Sequence, residues 1–89
     1  MLQEKYFTKE ICIHFKGMIP YAAYYIASGS LTLFKRKGQR IEIQSGEIVG
    51  LKEITKNIPF NYNIYTNPGT TLIYLDKTML SGIEHSLKF

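Results

Sequence analysis

Residues 24–50 contain the feature that most restricts the fold of this chain. Short runs of alternating apolar and polar residues are separated by glycines at positions 29, 38, 46 and 50. Alternation with a period of two is typical of strands with one buried face, and glycine adopts the backbone conformations that tight turns require. Several short strands separated by tight turns favour an antiparallel barrel or jelly roll. We therefore predict a mainly β fold.

The sequence before this stretch divides into two parts. The first ten residues mix charged and apolar types without a clean period, which predicts a loose or short helical arm over 1–10. Residues 11–16 alternate strictly. This pattern predicts a strand with Ile13 and Phe15 facing the core and His14 facing solvent.

The end of the chain has the pattern of a helix. Asp76 is a residue type that caps helix N-termini, and apolar residues recur after it at helical spacing. We therefore predict a helix over 76–88. The 89 residues then form a single domain, with an N-terminal arm over 1–10, a β-roll over 11–75 and this C-terminal helix.

The composition excludes several classes of protein. With 45% hydrophobic and 20% charged residues, the chain can form a core and lacks the composition of a disordered protein. The longest uncharged apolar run, residues 21–27, is too short to cross a bilayer. The single cysteine, Cys12, excludes an internal disulfide, and only two histidines are available as further metal ligands. We therefore predict a cytoplasmic protein without a membrane segment, a metal ion or a cofactor.

The charged residues do not predict catalysis. The sequence contains no Ser-His-acid arrangement, paired carboxylates or phosphate-binding loop that would indicate an enzyme. The net charge of +4 comes largely from a basic hairpin at 35–40. One interpretation is a small nucleic-acid binder that uses this hairpin. The interpretation we favour is a solvated hairpin tip, because charges there also protect a sheet edge from aggregation.

Three short motifs carry a resemblance to a known family. They are Tyr-Ile-Ala-Ser-Gly-Ser-Leu at 25–31, Gly-Glu-Ile-Val-Gly at 46–50 and Ile-Tyr-Leu-Asp at 73–76. Their order resembles that of the cyclic nucleotide-binding domain family over roughly residues 11–85. The resemblance implies a cupin-related double-stranded β-helix, a jelly roll followed by a helix. Since the chain ends at Phe89, we expect a truncated module without the long helix that follows in the family.

The resemblance also implies a phosphate-binding cassette after Gly50. In the family this cassette supplies a short helix, an acidic residue for the ribose and an arginine for the phosphate. Here Leu51 stands at the acidic position and Phe60 at the arginine position. The cassette is therefore degenerate, and its candidate site positions are Gly50, Leu51, Lys52, Glu53, Phe60 and Asn61.

Three functions remain open at this point. The leading hypothesis is a non-catalytic regulatory or protein-interaction module, a homodimer or bound to a protein partner, that does not bind cAMP by the usual route. The first alternative is a sensor that still binds a cyclic nucleotide through Gly50, Lys52 and Glu53. The second is the nucleic-acid binder described above, which we regard as the least supported of the three.

Overall fold

The computed structural model describes residues 3–36 and 38–78 as two four-stranded antiparallel sheets packed face to face. A single short helix, α1, interrupts the strands. The elements in chain order are β1 (Gln3–Phe7), β2 (Cys12–His14), β3 (Ala22–Ser28), β4 (Ser30–Phe34), β5 (Arg40–Gln44), β6 (Ile48–Val49), α1 (Leu51–Lys56), β7 (Asn63–Thr66) and β8 (Thr70–Asp76). The predicted mainly β jelly roll is confirmed.

The core lies between the inner faces of the two sheets. The first sheet has the strand order β1-β8-β3-β6, and the second has the order β2-β7-β4-β5. Alternate residues of the central strands point inward, so Tyr24, Leu31, Ile64 and Leu72 are at most 1% exposed. Burial of such side chains stabilises a fold by about 1.5 to 3 kcal/mol each.

The N-terminal residues 3–7 are neither loose nor helical, so that expectation was wrong. They form β1, which pairs with β8 from Gln3 opposite Tyr74 to Phe7 opposite Thr70. The inward positions of this edge strand include polar residues, and the Lys5 ammonium lies 5.5 Å from the centre of the Tyr74 ring. A lysine stem can cover apolar surface while its charge stays in water. For this reason the hydrophobic pattern does not reveal the strand.

The prediction that His14 faces solvent and Phe15 faces the core was also wrong. His14 is 2% exposed and Phe15 is 56% exposed. The pairing of β2 with β7 shifts register between Cys12 and His14. An irregularity of this kind breaks the alternation and redirects the side chains that follow it.

The C-terminal helix can be compared with the structure only at its start. β8 ends at Asp76, and residues 77 and 78 are helical. The rest of the helix predicted over 76–88 lies outside the described residues. Within the described ranges, no helix is long and apolar enough to cross a membrane.

Thr66 attaches the N-terminal segment to the second sheet, and this contact leads to a prediction. Its hydroxyl is fully buried, accepts a hydrogen bond from the Ile11 N–H at 3.0 Å and donates one to the Lys9 carbonyl at 2.9 Å. Thr66→Val keeps the branched shape but removes both bonds, so we expect a loss of about 1 to 3 kcal/mol in the free energy of unfolding. Urea unfolding followed by circular dichroism measures the loss. The same exchange at half-buried Thr71 is the control, and an equal loss there would contradict the explanation.

Candidate functional site

The helix α1 follows β6 directly, and residues in left-handed conformation lie at both of its ends. Gly50 at the N-terminal end has φ 93°, and Asn57 at the C-terminal end has φ 56°. Glycine, and less often asparagine, adopts this conformation at low cost. Ile54 is the buried residue of the helix and packs with Ala23 and Leu75 against the outer face of the first sheet. These contacts fix the orientation of the first turn of α1.

Next to this turn lies an open cavity of about 390 Å³. The four consecutive site candidates Gly50, Leu51, Lys52 and Glu53 all line it, so the structure brings these predicted positions together. The other walls come from β4, β5, β6, the turn before β6 and the segment before β7. They are formed by Leu33, Ile43, Glu47, Ile48, Val49 and Tyr62.

The lining of this cavity carries charges of both signs. Lys52 is the only cation among the lining residues, whereas Glu47 and Glu53 are both acidic. Glu53 also interacts with the protein itself. Burial and the neighbouring negative charge of Glu53 raise the pKa of Tyr62 well above its ordinary value. The Glu53 carboxylate therefore interacts with Tyr62, which lines the same cavity.

Phe60 does not line the cavity but lies in the core beneath it. Its side chain is 1% exposed and contacts the His14 ring edge-on, with ring centroids 4.3 Å apart. Its ring also lies against Gly50, because a Cβ placed on that glycine would be 2.7 Å from the Phe60 Cζ. The last candidate, Asn61, is exposed and is not among the lining residues. Two of the six predicted positions are thus outside the cavity.

His14 is the buried residue that sequence reasoning missed at this end of the molecule. Its Nε2 lies 3.1 Å from the Met18 carbonyl oxygen, and its Nδ1 lies 3.5 Å from the Tyr24 hydroxyl. Both ring nitrogens therefore have polar neighbours, which is the condition for burying an imidazole. Period-two alternation placed this side chain on the wrong face, so the pattern contained no signal for it. The cavity residues Leu33, Ile43 and Tyr62 were also missed as site residues.

The basic hairpin lies at the far edge of the second sheet. The Arg40 guanidinium is 5.2 Å from the centre of the Phe34 ring, and that ring contacts Tyr65 edge-on at 5.0 Å. At least one of the hairpin cations is therefore stacked on the protein's own aromatic surface. Residue 37 lies outside the described ranges, and the use of this hairpin for nucleic acid stays a prediction.

Comparison with solved structures identifies the fold. The catabolite activator protein of Thermus thermophilus superposes with a TM-score of 0.85 over 98% of this chain and 43% of its own chain, at 21% identity. A cyclic nucleotide-binding-like protein from Brucella abortus gives a TM-score of 0.77 over 94% of this chain and 76% of its own, at 16% identity. The regulatory subunit of a cAMP-independent protein kinase A from Trypanosoma brucei gives a TM-score of 0.78 over 98% of this chain and 34% of its own, at 21% identity.

These similarities show that the chain has the cyclic nucleotide-binding domain fold. The resemblance read from the three sequence motifs is thereby confirmed at the level of the fold. The chain spans less than half the length of the Thermus and Trypanosoma proteins. No protein-family model and no curated protein matches the sequence.

The buried tyrosines predict how stability depends on pH. Burial, with the neighbouring Tyr21 and Tyr74, raises the pKa of Tyr24, and burial with Glu53 raises the pKa of Tyr62. Because the folded state disfavours the phenolates, this stability is present below about pH 10, the unfolded pKa of tyrosine, and is lost as pH rises further. We expect the free energy of unfolding in urea to fall steadily from about pH 10 upward. Tyr24→Phe should make that fall less steep, and an unchanged pH profile in this variant would contradict the assignment.

Proposed function

We propose that this chain is a non-catalytic regulatory module that has the cyclic nucleotide-binding fold but does not bind a cyclic nucleotide by the usual route. The observation that carries the proposal is Phe60. It stands where the family resemblance implies the phosphate-binding arginine, and it is packed in the core against Gly50 and His14. An apolar ring there cannot donate a hydrogen bond to a phosphate.

The expected loss of affinity is large. An arginine binds phosphate through two parallel charge-assisted hydrogen bonds. Loss of such a partner costs about 2 to 5 kcal/mol, which corresponds to roughly 30- to 4000-fold in affinity. Lys52 offers a single exposed positive charge at the cavity, and the acidic Glu47 and Glu53 oppose it.

The name of one neighbour supports a regulatory function of this fold that does not depend on cAMP. The Trypanosoma brucei protein is named as the regulatory subunit of a cAMP-independent kinase. A regulatory role for the present chain would then depend on protein contacts, made by a homodimer or with another protein in the cytoplasm. The homodimer is a separate prediction, and sedimentation velocity at micromolar concentration tests it.

Thermal denaturation with nucleotide tests the proposal. A ligand present at about 100 times its Kd stabilises the folded state by about 2.7 kcal/mol. For a domain of this size that shift raises Tm by roughly 10 to 20 °C. We expect cAMP and cGMP at about 5 mM to change Tm by no more than adenosine or guanosine does. A larger rise, specific for the cyclic nucleotides, would contradict the proposal.

The alternative is a sensor that binds a cyclic nucleotide through Gly50, Lys52 and Glu53. The observation that favours it is the position of these residues around one open cavity. On this alternative, a nucleotide-dependent rise in Tm would disappear in Lys52→Ala. A matched Lys56→Ala variant, which changes an exposed lysine at the other end of α1, would keep the rise.

A further inference from the structure

Four exposed apolar side chains lie on two neighbouring loops at one end of the molecule. Phe15 is 56% exposed, Met18 50% and Ile19 56%, all on the loop between β2 and β3. Ile58, 37% exposed, lies on the loop between α1 and β7. We call these four residues the end-loop patch. Exposed apolar side chains gathered on neighbouring loops are typical of interaction sites.

The backbone holds the two loops together. The Gly17 N–H donates to the Phe60 carbonyl at 2.8 Å, and the Phe60 N–H donates to the Met18 carbonyl at 3.2 Å. The Lys16 N–H donates to the Asn63 side-chain oxygen at 2.6 Å. These bonds place Met18 beside the segment that carries Ile58.

Two buried side chains also support the end-loop patch from the core. Phe60 and His14, which are 1% and 2% exposed, pack against each other directly under the two loops. The His14 ring contacts the Met18 carbonyl. A surface that is already ordered loses little entropy when a partner binds. The packing of Phe60, which removes the phosphate contact, therefore also supports this patch.

The charges around the patch indicate what kind of partner it fits. Residues 15–21 and 55–61 contain two lysines, Lys16 and Lys56, and no aspartate or glutamate. The sheet register adds one carboxylate at this end, Asp76, which lies opposite Ala22. A second copy docked patch to patch would bring lysine toward lysine, and like charges across an interface are costly. A partner with carboxylates around an apolar centre has the complementary charge.

We propose that the end-loop patch binds a protein segment that presents an apolar strip bordered by carboxylates. This inference rests on the proposed function, since it names the surface through which the module acts. Four side chains form a small contact area, so the complex is a transient one rather than an obligate assembly. Its affinity falls as salt rises, because the lysines at its border are exposed.

A pair of designed peptides tests the proposal. The full chain, labelled with ¹⁵N, is titrated with a synthetic amphipathic helix that has leucines on one face and glutamates elsewhere. The control peptide has lysines in place of the glutamates. We expect amide shift changes at residues 15–19 and 58, and an affinity about tenfold higher for the acidic peptide at low salt. Equal binding of both peptides, or shift changes that avoid the two loops, would overturn the proposal.

Matched variants locate the surface. Ile19→Ser should lower the affinity for the acidic peptide about fivefold or more, because it removes an exposed apolar contact. Ile11→Ser changes an isoleucine that is 45% exposed and lies before β2, away from the two loops, and it should leave the affinity unchanged. Equal effects of the two variants would overturn the proposal, as would a homodimer that dissociates on Ile19→Ser. Failure of the proposed function itself gives a different result, a cyclic nucleotide-dependent rise in Tm that these peptides do not affect.

Discussion

Phe60→Ala is expected to lower the free energy of unfolding by about 3 to 5 kcal/mol, the range for phenylalanine truncated in a well-packed core. The ring is 1% exposed and contacts His14, Tyr62 and Gly50. A domain of this size has roughly 4 to 13 kcal/mol of total stability. The variant therefore loses a large part of its stability, which urea unfolding followed by circular dichroism measures.

The control for this prediction is Phe34→Ala. Phe34 is half-buried on the outer face of the second sheet, so we expect its truncation to cost about 1 to 2 kcal/mol. Phe60→Arg, which introduces the residue type that the family resemblance implies at this position, should destabilise more than Phe60→Ala because it places a charge in the core. A Phe60→Arg protein as stable as the wild type would show that the ring does not occupy a packed site.

Gly50→Ala is expected to lower the free energy of unfolding by about 2 to 5 kcal/mol, for two separable reasons. A left-handed backbone costs about 1 to 2 kcal/mol for a residue with a Cβ, and overpacking adds about 1 to 3 kcal/mol. The new Cβ would lie 2.7 Å from the Phe60 Cζ. Gly46 offers a matched control, because its φ is also 93° but a Cβ there meets nothing within 4 Å. Gly46→Ala should therefore show the backbone cost alone.

A double-mutant cycle measures the contact between Gly50 and Phe60. In a Phe60→Ala background, Gly50→Ala should lower the free energy of unfolding by no more than Gly46→Ala does. The difference is a coupling energy of about 1 to 3 kcal/mol, as expected for side chains in direct contact. Additive losses would mean that the two residues do not touch, and the explanation of Phe60 would then be wrong.

The sequence predicted the central part of the fold because hydrophobic pattern and turn chemistry agree there. β5 alternates cleanly between half-buried and exposed residues, Leu31 and Leu33 of β4 are both buried, and Gly46 lies in the turn that leads into β6. In these segments local propensity and tertiary burial favour the same conformation. The family resemblance implied a short helix after Gly50, and α1 occupies Leu51–Lys56.

The errors occurred where tertiary contacts override the local pattern. β1 forms because β8 offers an edge, and its inward Lys5 gives no hydrophobic signal. His14 is buried because an irregularity in β2 redirects it and because Met18 and Tyr24 supply polar partners. Neither effect is encoded in the spacing of apolar residues alone.

The candidate site was predictable only in part, for a similar reason. Gly50, Leu51, Lys52 and Glu53 are consecutive, so any fold that exposes one turn of helix keeps them together. Phe60 was identified as the residue at the arginine position, but its location in the core depends on contacts with His14 of β2 and with Gly50. Tyr62 follows Phe60 closely in the chain and its ring contacts the Phe60 ring, and in this position it lines the cavity.

The most direct test of the central claim is isothermal titration calorimetry of cAMP into the wild-type chain, with localisation of any binding by ¹⁵N amide shifts. We predict no saturable heat up to about 1 mM nucleotide, which corresponds to a binding free energy weaker than about −4 kcal/mol. Residues 50–53 should then show no saturable shift change. Saturable binding with a Kd below about 50 µM, with shifts centred on Gly50 and Lys52, would contradict the claim that Phe60 has removed the usual phosphate site.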